Sequence, residues 1–457
     1  MPNNTVLQND LPTLDDKLDW RDEVARIQHR IRTCGAPHVL GIHGEWGSGK
    51  TSFMRQLQLS LGGDMPSDGS VNLKFTPLSA ANKATMQEHV VTVWFDAWRY
   101  QNEAAPIVAL LHEMRRQMTA LPSLFAKFGK LGKIVTASLL DGLTDVAKQI
   151  GIEGMPSVEK IEKRAQQWEQ EHYAVVLGTN SIREHLQQTI EHLLPDKDEA
   201  RVVIFIDDLD RCSPKAAMRL LEGLKIYMSI PRCVFVLGMN ERILVDAIRE
   251  EMSVPKEAVP EELKMRASHY LEKICTDIYR LALPRSAASL LMQWLGDIEH
   301  KQALGIAIGN IACLPPNPRR LKALANQWSR FAGCVAFPAD QDAQKVWAVR
   351  VLVAAYIHQF HRDLWERWHF SPDFWLDIRR WCTGGDAGFK PDWANSLKLT
   401  RIHAGGDETN AAQTPAILYP NPGDIDIFWL GALVQAYAPQ LNPIDFRPLL
   451  ARLGDAP

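Results

Sequence analysis

Short apolar runs punctuate the first two thirds of the chain. They are HVLGIHG (38–44), VVTVWFDAW (90–98), RVVIFIDD (201–208), RCVFVLGMN (232–240) and DIYRLALP (277–284). None alternates cleanly between apolar and polar residues. Continuous apolar character over so few positions predicts strands buried on both faces, as in a parallel sheet. Between them the period changes to that of a helix. After the first run, Phe53, Leu57 and Leu61 recur every fourth residue. After the third, Ser213 can cap a helix whose first position is Pro214, with Ala217, Leu220, Leu221, Leu224 and Met228 on its apolar face. Strands alternating with amphipathic helices predict an α/β fold.

The rest of the chain reads differently. A long, mostly helical stretch over about 103–198 interrupts the alternation, and SVEKIEKRAQQWEQEHY within it is charged and solvent-facing. Its most apolar part, KIVTASLLDGLTDVAKQIGI, is broken by Asp141, Asp145 and Lys148, so it is read as an amphipathic or buried helix and not as a membrane span. After Pro284 the pattern is helical. An irregular stretch rich in Gly, Pro and Asn lies between Thr383 and Asp426. The expected organisation is a lead helix (1–36), a core (37–285) carrying the insertion, a helical segment (286–337), and a tryptophan-rich, mainly helical C-terminal domain (338–457).

Length and composition narrow the class. A chain of 457 residues exceeds one compact core, so two or three domains are expected. A net charge of -3 gives no global attraction to nucleic acid or an anionic membrane. The seven cysteines are scattered, with no C-x-x-C, which favours reduced thiols over a disulfide framework or zinc site. The opening residues lack a basic-then-apolar pattern, so a cytoplasmic location is expected.

Chemistry concentrates at two strand ends. Gly44, Glu45, Trp46, Gly47, Ser48, Gly49, Lys50 and Thr51 fit G-x-x-x-x-G-K-[ST], directly after one buried strand and at the start of a helix. That is the context of a phosphate-binding loop. Its glycines let successive N–H groups face one centre, and the helix N-terminus adds partial positive charge. Lys50 is expected to reach the β- and γ-phosphates, Thr51 to ligate Mg²⁺, and Ser52 to help hold the α-phosphate. Such a loop needs an acid at a neighbouring strand end, and VVIFIDD supplies two. Asp207 is expected on the metal side, with Asp208 placed to orient or deprotonate the attacking water. Asp210 falls outside the strand, where it can pair with Arg211 or cap the following helix near Ser213. Asn240 ends the next strand and can either touch the γ-phosphate or cap the helix after it.

Five segments in order, GEWGSGKTS, WFDAWRY, IDDLDRCSP, YLEKI and NPRRLKALAN, resemble the KAP family of P-loop NTPases, a group among the STAND and AAA+-like ATPases. The resemblance covers about 15–335. It implies a five-stranded parallel P-loop NTPase sheet with a helical insertion and a helical lid. ATP as substrate rests on it, since no base-selecting signature stands in the residues. So do ATP-driven switching, self-association, and a place in bacterial anti-phage or conflict systems. Many members carry membrane helices in the insertion; this insertion is too polar for that. In related ATPases a lid arginine reaches the γ-phosphate, a role that falls here to Arg319 or Arg320, the alternative being a helix-surface pair. Lys273 and Arg266 are candidates for a finger presented by a neighbouring subunit. Trp98 and Arg99 of DAWRY are placed to couple nucleotide state to the insertion.

The segment HQFHRDLWERWHFSPDFWLDIRRWC (358–382) mixes aromatic and basic residues. Phe360, Leu364 and Trp368 lie four apart, which is the spacing of a packed helix face. The acids after residue 340 are at least as numerous as the bases, so core packing is favoured over a nucleic-acid surface. His358, His361 and His369 lack partners at metal-ligand spacing. No nuclease, protease or deaminase signature appears, so any destructive step falls to a separate effector protein. Two function classes remain, an ATPase and a nucleotide-gated scaffold with little turnover. A DNA-stimulated ATPase is a weaker third.

Overall fold

The computed structural model describes residues 12–61, 90–102, 200–225, 227–251, 260–295, 300–309, 313–383 and 422–437, with scattered positions in 109–117, 183–199 and 446–451. Most of the insertion, including KIVTASLLDGLTDVAKQIGI, lies outside them, as does 384–421 of the irregular stretch. The chain divides into two compact units, Leu11–Ala282 and Leu283–Pro457.

The first unit is built on five strands: β1 (His38–His43), β2 (Val90–Asp96), β3 (Arg201–Asp207), β4 (Cys233–Met239) and β5 (Asp277–Arg280). They form one sheet in the order β2-β3-β4-β1-β5, and every neighbouring pair is parallel. All residues of β1, β3 and β4 are buried, which is why these strands read as continuous apolar runs. The α/β fold with a five-stranded parallel sheet is therefore observed.

Two helices cover one face. The helix α1 (Arg21–Thr33) contributes Val24, Ile27 and Ile31. The helix α2 (Lys50–Ser60) contributes Phe53, Met54 and Leu57 to the same core, which continues into Leu40, Ile42, Phe205 and Val236 of the sheet. Arg201, buried at the start of β3, donates to the Ile31 and Cys34 carbonyls and so ties the end of α1 to the sheet. The unit also holds the helices α3 (Pro214–Lys225), α4 (Glu241–Glu251) and α5 (Pro260–Ile274). Ser213 caps α3 as expected, its Oγ accepting from Ala216 N–H at 3.3 Å.

β2 is a sheet edge. Gln117, from the insertion, accepts from Trp94 N–H at 2.8 Å and donates to Trp94 C=O at 2.5 Å. One side-chain amide thus satisfies the two main-chain groups that another strand would have paired.

The second unit is helical. Its helix Pro318–Cys334 packs against Gln341–Phe360, so the expected boundary at 337/338 falls inside one shared core. Asn317 caps the first of these and Asp340 the second. Much of the aromatic segment is core, although Phe370 is exposed: Trp368 and Trp375 stack at 5.3 Å, and both rings contact Phe446. His369 stacks on Trp365, which also meets His358 edge-on. A helix, Pro422–Tyr437, begins within the last residues of the stretch expected to be irregular.

Candidate phosphate and metal site

β1 delivers the chain to Gly44, and α2 begins at Lys50, so the loop 44–49 lies at the carboxyl end of the sheet. Gly49 has φ +96°, a left-handed conformation that disfavours any side chain. A β-carbon there would also stand 2.7 Å from Cη2 of Trp20. Trp20 meets Phe53 edge-on at 5.5 Å, so the residues before α1 form the floor under the loop. Ser48 Oγ is buried without a hydrogen-bond partner. Trp46 is 63% exposed at the loop's tip, and Glu45 contributes its carbonyl to the loop's internal bonds.

Lys50 is buried, and all of its donors are engaged. Nζ donates to the Gly44 and Glu45 carbonyls at 2.9 and 3.0 Å and pairs with Asp210 Oδ2 at 2.8 Å. Here the structure departs from the sequence reading. Asp210 neither pairs with Arg211 nor caps α3; it pairs with Lys50. Arg211 instead pairs with Asp208, Nε to Oδ1, at 2.8 Å.

Asp207 ends β3 at full burial and is hydrogen-bonded to the Thr51 side chain. Its Oδ2 is buried with no hydrogen-bond partner among the described residues. Burial, and then the neighbouring Asp208 charge, push its carboxyl up to about 6. Gly238, near the end of β4, makes room for it, since a β-carbon there would lie 3.1 Å from Asp207 Oδ1 and 2.6 Å from Met54 Sδ. Asp208 stands in the left-handed region at φ 59°, which turns the chain sharply out of the strand into the single turn Leu209–Arg211. A hydroxyl beside a carboxylate with one unpartnered oxygen is a donor set a divalent cation uses, so Thr51 and Asp207 fit Mg²⁺.

The cation that these aspartates call for includes a residue no motif pointed to. Arg55, on α2, is buried with its guanidinium 3.4 Å from the centre of the Trp94 ring. Burial lowers it to about 10, while Asp207, Asp96 and Asp208 act in the other direction and favour its charge. Asp96 lies level with Asp207 across the β2–β3 register. His43, the last residue of β1, is kept neutral by burial, then by Arg280 and Lys50, at about 4. The helical period placed Arg55 on α2, but only the sheet order brings that position over β2 and β3.

The remaining candidates are more dispersed. Ser52 Oγ accepts from Thr13 N–H at 3.1 Å. Asn240 adopts the capping alternative, its Oδ1 accepting from Arg242 N–H at 3.0 Å. Arg266 and Lys273 are exposed on α5. Trp98 is 49% exposed, and Arg99 lies 3.8 Å from Glu113 of the insertion, which also accepts from Tyr100 Oη at 2.6 Å. Arg319 and Arg320 belong to the second unit, where Arg320 lies 5.2 Å over the Phe360 ring.

A parallel sheet with a glycine-rich strand-to-helix loop, a buried lysine and a strand-end aspartate defines a P-loop NTPase domain. The family model for the KAP family P-loop domain matches residues 23–297, and the chain belongs to that family. A comparison with curated proteins found no significant match. The domain implies nucleotide binding. Among the described residues no helix is long and apolar enough to cross a membrane.

Proposed function

We propose that this chain is a cytoplasmic ATPase whose Mg-ATP binding and hydrolysis drive a conformational or assembly switch. The setting proposed is a bacterial anti-phage defence or conflict system, in which the chain self-associates and acts on a separate effector protein. The observation that carries the enzymatic reading is the hydrogen-bonded Thr51–Asp207 pair beside Lys50, with Asp208 one residue further on.

The loop N–H groups and Lys50 hold the phosphates. Thr51 and Asp207 would hold Mg²⁺, which would offset negative charge developing on the phosphate. Asp208 orients water for in-line attack on the γ-phosphate and accepts its proton. Arg319 or Arg320, and from a second copy Lys273 or Arg266, add positive charge at the transition state. Steady-state ATP hydrolysis by wild type and Lys50→Ala, over a protein concentration series, tests this. The expected result is activity per subunit that rises with concentration and disappears in the variant. Activity equal to that of Lys50→Ala refutes hydrolysis.

One observation favours a second reading, a nucleotide-gated scaffold with little turnover. Asp208 is already engaged by Arg211, which withholds the carboxylate from water. Asp208→Asn separates the two. A variant that binds ATP and still supports function favours the scaffold; one that binds and loses function requires hydrolysis.

A further inference from the structure

We propose that Asp210 is a positioning residue that competes with phosphate for Lys50, and that their exchange loosens the grip of Arg211 on Asp208. This rests on the ATPase reading and adds a means of control to the same site. An ammonium has three N–H donors. Those of Lys50 go to the Gly44 carbonyl, the Glu45 carbonyl and Asp210. A phosphate oxygen is a fourth acceptor, so it must replace one of these three.

The two carbonyls belong to the loop that wraps the phosphate and cannot withdraw without dismantling it. Asp210 can. It sits on a three-residue turn, Leu209–Arg211, and its side chain is only 9% exposed. A carboxylate and a phosphate sharing so dry a place repel strongly. The incoming phosphate therefore takes the lysine and expels the aspartate.

The next residue in the same turn is Arg211, bonded to Asp208 at 2.8 Å, and Arg211 N–H also donates to the Asp208 carbonyl at 3.1 Å. A shift of Asp210 is passed directly to both contacts. Phosphate arrival at Lys50 thus loosens Arg211 from the Asp208 carboxylate. In this arrangement Asp210 keeps the two charges of the machinery, Lys50 and Asp208, engaged until the substrate is in place.

The test is equilibrium binding of a ribose-labelled fluorescent ATP to full-length wild type, Asp210→Asn, Asp210→Ala and Lys50→Ala, with inorganic tripolyphosphate as a competitor that lacks the base. Both Asp210 variants should bind about tenfold more tightly, for ATP and tripolyphosphate alike, because one charge-assisted hydrogen bond no longer competes. Arg211→Gln should change turnover at saturating ATP by less than about twofold, because bound phosphate has already loosened Arg211 from Asp208; a clear rise shows that Arg211 still grips Asp208 with ATP bound and overturns the release. A merely structural Asp210 would lower the unfolding midpoint and leave affinity equal or weaker. That result overturns the exchange while wild-type binding leaves the phosphate site standing. If wild type binds no better than Lys50→Ala, both readings fall.

Discussion

Replacing Gly49 by alanine isolates what the loop conformation costs. Two terms act together. A residue with a β-carbon held at φ +96°, ψ 17° loses roughly 1–2 kcal/mol relative to glycine. The added carbon must also displace Trp20, whose Cη2 lies 2.7 Å away in a ring only 3% exposed, and overpacking of that kind costs about 1–3 kcal/mol. Against these, alanine narrows the unfolded ensemble by about 0.4–1 kcal/mol. The net expectation is a loss of about 2 kcal/mol in the first unit. Urea unfolding of wild type, Gly49→Ala, Trp20→Phe and the double variant completes a cycle that separates the terms. With the smaller ring, Gly49→Ala should cost about 1–3 kcal/mol less, leaving the backbone term alone. Equal cost in both backgrounds refutes the Trp20 clash. A cost under about 0.5 kcal/mol refutes both terms.

Two other expectations concern charge. Asp207 is fully buried, its carboxyl held up near 6 by burial, so Asp207→Asn should raise the unfolding midpoint of the metal-free protein while abolishing Mg²⁺-dependent turnover; a lowered midpoint contradicts it. His361 is held neutral by burial, then by Arg320, with its value lowered to about 3 from the usual 6.5, so its contribution is intact above pH 6.5 and is lost as pH falls toward 3. At pH 5 this amounts to about 2 kcal/mol, so in His361→Asn the stability difference between pH 7.5 and pH 5, followed by tryptophan fluorescence, should shrink by about that amount; an unchanged difference contradicts it.

Much of the site was legible along the chain because its parts are local. Gly44–Thr51 and Asp207–Asp208 each combine an apolar strand with the polar residues that end it, and both signals lie within a few positions. Ser213 caps its helix for the same reason, since an oxygen three residues before an N–H is a property of sequence. Asp210 was misread because its neighbour Arg211 looked like its partner. The left-handed turn at Asp208 reverses that, folding Arg211 back onto Asp208 and aiming Asp210 at Lys50.

The strands, the helix faces, the phosphate loop and the family are written locally in the chain, because side-chain period and short motifs act over a few residues. Which charges meet depends instead on how the strands assemble. The order β2-β3-β4-β1-β5 places β4 between the loop's strand and the aspartates' strand, and yet brings Lys50 within 2.8 Å of Asp210. The same order sets Arg55 against Trp94 and near Asp96, Asp207 and Asp208. Ion pairs between distant segments have no period or spacing to announce them. They follow from burial, which leaves each of these charges no better partner than the other.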